Sequence, residues 1–234
     1  MRTPTTFLIL MILCIASLAV GQTVFTDDSF FDADWTTTIF TLNNPTGVSS
    51  SAHEAVGGNP DDHRSISTNA TCADWDIFGC KAMVIEMRVG AIYDPATSGE
   101  IHYLSYGEDQ MCAPADNCVG GGQAWYPAIM QDGKYFIYVS GVPTGVLENW
   151  TTAQLSLIDA AEFGEVALAQ FAVHDLSSNP DFSTSGAPIQ FGYARANSIS
   201  ATRTGRIDNW TFGVNTEVVG TVGVSWGEIK SVYR

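Results

Sequence analysis

The chain has 234 residues, 45% of them hydrophobic and 11% aromatic, which is enough to bury one sizeable core. Ten basic residues against 25 acidic ones give a net charge of −15. This balance argues against nucleic acid or an anionic membrane surface as a partner. It suits a divalent cation, or solubility in a salty extracellular medium.

Residues 1–21 have the pattern of a secretory signal peptide. Arg2 precedes the apolar stretch FLILMILCIASLAV, and small residues follow up to Gly21, where cleavage is expected. A membrane anchor is the alternative, but the apolar stretch is shorter than the ~20 residues that a spanning helix needs. We therefore predict a secreted or cell-surface protein, with one domain over residues 22–215 and a connector with a short amphipathic segment over residues 216–234.

After the leader, alternating apolar and polar residues dominate and predict β-strands. The predicted strands, in chain order, include VFTDDSF (24–30), DWTTTIFTL, HRSISTNA, KAMVIEMRVG, IHYLSY, KYFIYVSG, EVALAQFAV and PIQFGYARA. QDGK (131–134) predicts a hairpin turn, and SLIDAAEF (156–163) could supply one short helix. The fold class is all-β: a two-sheet antiparallel β-sandwich of the jelly-roll type.

The last ten residues, SWGEIKSVYR, predict a short C-terminal helix. Ser225 and Glu228 have capping-box spacing, and Trp226, Ile229 and Tyr233 share one helical face. So short a helix is not stable alone in water. We expect it to dock on the sandwich or on a partner, or to fray.

Four cysteines remain in the exported chain: Cys72, Cys80, Cys112 and Cys118. An even number in an oxidising compartment predicts two disulfides, for which three pairings are possible. The pairing of neighbours, Cys72 with Cys80 and Cys112 with Cys118, closes two short loops. A zinc site is less favoured, because the chain has neither CxxC spacing nor a nearby histidine pair.

The segment GRIDNWTFGV (205–214) places a carboxylate among apolar residues, which suggests a cation-binding site. With a period of two, Asp208 shares a strand face with Trp210, Phe212 and Val214, and a buried carboxylate needs an opposite charge or a metal. Asp27 and Asp28 have a similar position in the first strand. If the first and last strands are neighbours, these three acids predict a structural Ca²⁺ site. The alternative is that Asp208 is a turn residue whose carboxylate accepts hydrogen bonds from backbone amides, with Asn209 assisting.

The segments VFTDDSFFDADW and GRIDNWTFGV resemble the terminal strands of secreted bacterial jelly-roll domains of the concanavalin-A-like lectin/glucanase and carbohydrate-binding-module type. GGNPDDHR (57–64), YDPATSGEI (93–101), MQDGKYF (130–136) and PIQFGYARANS (188–198) are similar to stretches of uncharacterised proteins of that class. The resemblance spans roughly residues 24–214. It implies a sandwich, often with a structural Ca²⁺ between the terminal strands, and an unassigned or carbohydrate-binding function.

The sequence shows no catalytic motif. Glycosidases of the concanavalin-A-like group carry E-x-D-x-x-E or a close variant, and this chain has no such pattern and no G-x-S-x-G nucleophile turn. We therefore predict that the protein is not an enzyme. A diverged polysaccharide hydrolase or lyase is the third-ranked alternative.

Carbohydrate binding would use exposed aromatic rings, whose faces stack on sugars, together with hydrogen-bonding side chains. We expect these rings to be Trp75, inside the first predicted disulfide loop, and Trp125 and Tyr126, after Cys118. The leading hypothesis is therefore a secreted, non-catalytic module that binds a glycan or a cell-surface component. A structural protein attached to the cell envelope through SWGEIKSVYR is the second. The oligomeric state does not follow from the sequence.

Overall fold

Strands joined by short turns make up most of the chain. The computed structural model describes residues 21–44, 46–71, 80–112, 123–140, 149–169, 172–197 and 201–217. The strands are β1 (Gln22–Asp27), β2 (Trp35–Leu42), β3 (Ser50–Gly58), β4 (Asp61–Ala70), β5 (Lys81–Tyr93), β6 (Tyr103–Cys112), β7 (Ala124–Gln131), β8 (Lys134–Tyr138), β9 (Thr151–Ile158), β10 (Phe163–Ala169), β11 (Ala172–Asp175), β12 (Ile189–Asn197) and β13 (Ala201–Asn215). The hairpin between β7 and β8 confirms the turn predicted at 131–134.

The strands form two antiparallel sheets. The first sheet has the order β3-β4-β13-β6-β9, with β1 also paired to β13; the second has the order β11-β10-β8-β7-β12-β5-β2. The two sheets pack face to face around a shared core that includes Ile66, Leu104 and Trp210 from the first and Phe191 and Tyr193 from the second. This arrangement confirms the all-β, two-sheet sandwich.

Helical structure is confined to short pieces among the described residues. A single-turn helix, α1 (Pro95–Ser98), follows β5, and 3-10 turns lie at Asp32–Asp34 and Ala160–Glu162. The last of these falls inside the stretch for which a short helix was expected. In the part of the chain that the structure describes, no helix is long and apolar enough to cross a membrane. The predicted C-terminal helix and signal peptide lie outside the described residues.

The second sheet curls, so that part of its outer face is also buried. Met83, Ile85 and Met87 on β5 form a second apolar cluster there, each at most 1% exposed. Three strands separate β2 from β8, yet the Thr38 and Tyr135 hydroxyl oxygens lie 2.9 Å apart. This contact brings the two strands together over the cluster, which makes that face a second core.

The first and last strands are neighbours, which is the condition on which the predicted calcium site depends. β1 pairs antiparallel with the C-terminal half of β13, with Asp27 opposite Trp210 and Gln22 opposite Asn215. The other half of β13 pairs with β4 on the same side. β1 and β4 therefore lie end to end along one side of β13, and the terminal strands meet within the first sheet.

Candidate functional site

A polar groove crosses the outer face of the first sheet over strands β6, β9 and β13. Its volume is about 750 Å³, within the range of ordinary ligand sites. The residues that line it are Ser105, Tyr106, Gly107, Glu108, Asp109, Thr152, Gln154, Leu155, Ser156, Asn209 and Thr211. Most of them are outward-facing residues that alternate with core residues along each strand.

Three residues form a row across the middle of the groove. Gly107 on β6 stands opposite Thr211 on β13 and opposite Gln154 on β9. Residues directly opposite in antiparallel strands share a face, so the Thr211 and Gln154 side chains flank the position where Gly107 has none. The centre of the groove therefore has a gap between a hydroxyl and a carboxamide.

The polar side chains of this groove are largely available to a ligand. Ser105, Gln154, Ser156 and Thr211 make no hydrogen bond through their side chains to another described residue. Together they offer three hydroxyls and one carboxamide, which both donate and accept hydrogen bonds. Groups of this kind are complementary to a ligand rich in hydroxyls.

Asp109 closes one end of the groove and is held by its neighbours. Its carboxylate accepts hydrogen bonds from the Thr152 hydroxyl and from the side-chain amides of Asn59 and Asn209, the two amides at 3.1 and 2.8 Å. Three donors fix this carboxylate in one orientation. We infer that it shapes the end of the groove rather than moving a proton.

Asp208 lies on the outer face of the sheet, so its predicted place on the core face is wrong. Ile207 and Trp210 are both fully buried in the core, and a β-bulge interrupts the pairing of β13 with β6 between Asp208 and Thr211. Asn209 occupies the bulge with φ of 49°. The extra residue breaks the period of two, which places Asp208 opposite Asp109.

The Asp208 carboxylate accepts hydrogen bonds from the backbone amides of Asn59 and Asn209. This agrees with the amide-bonded alternative considered for the sequence, although the residue lies within a strand rather than after one. Burial raises the pKa of Asp208, and the nearby charges of Asp109 and Asp28 raise it further, against the lowering effect of the two amides.

Asp27 does not fit the predicted metal site. Its carboxylate accepts hydrogen bonds from the Trp35 indole at 2.8 Å and from the Ser29 and Phe30 amides, and Arg88 Nε lies 2.9 Å away. Burial alone would raise the pKa of Asp27, but these amides and the Arg88 charge outweigh it and lower the pKa. Arg88 therefore supplies the opposite charge that a buried carboxylate needs, for which the sequence predicted a metal.

The predicted metal ligands do not form a cage by themselves. Among the described residues, no group of three or more His, Cys, Asp or Glu side chains is placed to hold a metal ion. Asp28 is exposed at the end of β1, and its charge reaches Asp208. Calcium where β1 and β13 meet stays a prediction, and it now concerns Asp28 and Asp208.

The predicted aromatic binding residues are not exposed. Trp125 lies in β7 rather than in a loop, is 5% exposed, and stacks on Tyr106 between the sheets with their rings 6.1 Å apart. Tyr126 faces the other side of β7 and is 8% exposed; its burial raises its pKa to about 12. The alternation of β7 buries one ring on each face of the sheet. Trp75 lies outside the described residues.

The residues that line the groove were not predicted from the sequence. Ser105, Gln154 and Thr211 are small or polar residues at outward positions of strands, where they look like any solvated face. Only the pairing of β6 with both β9 and β13 shows that they share one depression. The glycine at 107, in the middle of a strand, was the one available signal, because glycine weakens a strand.

A buried ion pair lies beneath the groove. Glu108 points from β6 into the core, where Arg195 Nη2 of β12 lies 2.8 Å from its carboxylate and the Tyr106 hydroxyl donates to it. Burial raises the pKa of Glu108, although Arg195 and Tyr106 act in the opposite direction. This carboxylate therefore braces the two sheets and does not face the groove.

Fold and site together define a two-sheet β-sandwich with an open polar groove on one sheet. No family model matches the sequence, and no curated protein matches it. Among solved structures, the chain is similar to a family 11 carbohydrate-binding module of the cellulase Lic26A-Cel5E of Clostridium thermocellum, with 13% identity, TM-score 0.48, and coverage of 87% of this chain and 99% of that one.

A second similar structure is the CBM22-1 xylan-binding domain of Paenibacillus barcinonensis Xyn10C, with 7% identity, TM-score 0.40, and coverage of 84% of this chain and 95% of that one. At identities this low, the ligands of these proteins do not carry over to this chain.

Proposed function

We propose that this is a secreted, non-catalytic β-sandwich protein that binds an uncharged carbohydrate in the groove of the first sheet. The observation that carries the proposal is the groove of about 750 Å³ with unpaired hydroxyl and carboxamide side chains along it. Saccharides present rows of hydroxyls that such groups bind, whereas an apolar ligand would leave these groups unpaired.

The charge of the groove favours an uncharged ligand. No lysine or arginine is among the described residues that line it, and their carboxylates are those of Glu108, which is paired inside the core, and Asp109. A uronate or sulfate group would therefore approach a carboxylate with no positive charge in the lining to offset it. The net charge of −15 acts in the same direction.

The same carboxylates support a non-catalytic role. Glycoside hydrolysis usually needs two carboxyl groups that flank the scissile bond from the same site. Here Asp109 is held by three donors, and Glu108 points the other way, into the core. Incubation with a polysaccharide panel should release neither reducing ends nor unsaturated products.

Binding can be tested with a panel of neutral, uronate-rich and sulfated oligosaccharides by calorimetry. We expect the wild type to bind a neutral member and Gln154→Ala or Thr211→Val to weaken it about tenfold, the effect of losing one hydrogen bond of ~1.4 kcal/mol. Thr202→Val is the matched control, because Thr202 is exposed on β13 outside the groove. A wild type that binds only charged members, or none, would contradict the proposal.

A calcium ion at the meeting of β1 and β13 is part of the same proposal. Each Asp208 oxygen accepts one backbone amide and keeps a lone pair, and the negative charges of Asp28 and Asp109 act on it. A divalent cation would relieve that repulsion. We expect a chelator to lower the melting temperature and added Ca²⁺ to restore it, with a smaller response in Asp28→Asn. A melting temperature indifferent to both would remove calcium from the proposal.

The two disulfides also remain a proposal. Cys80 and Cys112 are buried, while Cys72 and Cys118 lie outside the described residues. Peptide mapping under non-reducing conditions would identify the pairs. Attachment to a cell envelope through SWGEIKSVYR, the second hypothesis for the sequence, also concerns residues outside the described ranges and stays a prediction.

A further inference from the structure

Gly107 lacks the structural reasons that account for the other described glycines. Gly57, Gly90, Gly99 and Gly133 have positive φ angles, which favour glycine. At the remaining sites other than Gly107, a Cβ would come within 3.1 Å of a neighbouring atom. A positive φ angle or a close neighbouring atom therefore distinguishes all of these positions from Gly107.

At Gly107 neither reason applies. The residue has no positive φ, and a Cβ built there would lie 3.9 Å from the Ala153 carbonyl oxygen, 3.9 Å from Thr211 Cβ and 4.0 Å from Gln154 Cγ, which are ordinary contact distances. The position is in the middle of β6, where glycine gives up side-chain packing and costs backbone entropy. A larger residue would thus fit the fold and favour the strand.

We propose that Gly107 is the point where the bound saccharide ring rests on the sheet, and that its missing side chain determines which ligands fit. This inference rests on the proposed function of the groove. A ring placed flat over the Gly107 backbone would have the Thr211 hydroxyl on one side and the Gln154 carboxamide on the other. Hydroxyl groups at the ring edges can bond to both, whereas any side chain at 107 would lift the ring away from them.

The substitutions Gly107→Ala and Gly107→Val test this directly. Valine adds three carbons to the floor of the groove and suits a strand, so its melting temperature should equal or exceed that of the wild type. We expect affinity for the neutral oligosaccharide to fall at least about tenfold in Gly107→Val, and less in Gly107→Ala, as each added carbon fills the space. Ser67→Val, on β4 outside the groove, is the control and should bind as the wild type does.

The possible outcomes distinguish a failure of the role proposed for Gly107 from a failure of the proposed function of the groove. If the wild type binds and Gly107→Val binds equally well, the role of Gly107 is overturned and the groove function stands. If the wild type binds no saccharide, both are overturned. If Gly107→Val fails to fold, the alanine variant decides, because the distances around its single added carbon are ordinary ones.

Discussion

His63 on β4 is a buried histidine whose ring nitrogens are both without a hydrogen-bond partner in the part of the chain that is described. It is 2% exposed and meets the Trp150 ring edge-on at 5.9 Å. Burial lowers its pKa; the charges of Arg206 and His53 act in the same direction, while Glu54 and Asp62 oppose them. The neutral ring is therefore the form that the folded protein prefers.

A lowered pKa has a definite consequence for stability. Below the ordinary histidine pKa of 6.5, the unfolded chain binds a proton that the folded chain resists, so this residue destabilises the fold as the pH falls. We expect urea unfolding of the wild type to lose more stability between pH 7.5 and pH 5.5 than that of His63→Phe.

His102→Phe serves as the control for that comparison, because His102 is exposed. Its loss of stability over the same pH interval should match that of the wild type. Equal pH responses in the wild type and His63→Phe would contradict the assignment to His63.

At the scale of elements, β13 shows which features of a strand the sequence predicts and which it does not. Alternation correctly predicts a strand through GRIDNWTFGV, and the jelly-roll fold type made a place beside β1 plausible, which the pairing of the two strands bears out. Alternation does not predict which face of the sheet carries Asp208, because the extra residue at Asn209 shifts the alternation by one. A bulge depends on the partner strand, and no local pattern marks it here. The prediction for Trp125 was wrong for a similar reason. Its position after Cys118 suggested a loop, whereas it lies in β7 and is buried by the strands around it.

The conformation of Asn209 in the bulge of β13 leads to a prediction about stability. Asn209 adopts φ of 49°, which asparagine tolerates better than most residues, and its side-chain amide donates to the Asn59 carbonyl and to Asp109. Asn209→Ala loses both bonds and strains the backbone, so we expect a loss of about 1–3 kcal/mol in the free energy of unfolding. Asn209→Gly relieves the strain alone and should lose less. Equal losses would show that the hydrogen bonds carry the whole effect.

At the scale of the whole molecule, two buried ion pairs join the sheets. Arg64 of β4 lies 3.5 Å from Glu86 of β5, and Arg195 of β12 lies 2.8 Å from Glu108 of β6. All four side chains are at most 3% exposed. These pairs could not be predicted from the sequence, because Arg195 and Glu108 are 87 positions apart and each looks like a surface charge in its own strand. Sheet packing alone brings them together.

A buried pair of this kind should cost more to break than to replace. Arg195→Met leaves Glu108 buried without its partner, and we expect a loss of about 3–5 kcal/mol. The double variant Arg195→Met with Glu108→Leu removes both charges and should recover a large part of that loss, as measured by chemical denaturation. Lys134→Met, which breaks the exposed pair with Glu165, is the control and should change stability little. If the double variant is as unstable as the sum of the two single ones, Arg195 and Glu108 do not act as a unit, and the stabilising role of this pair is contradicted.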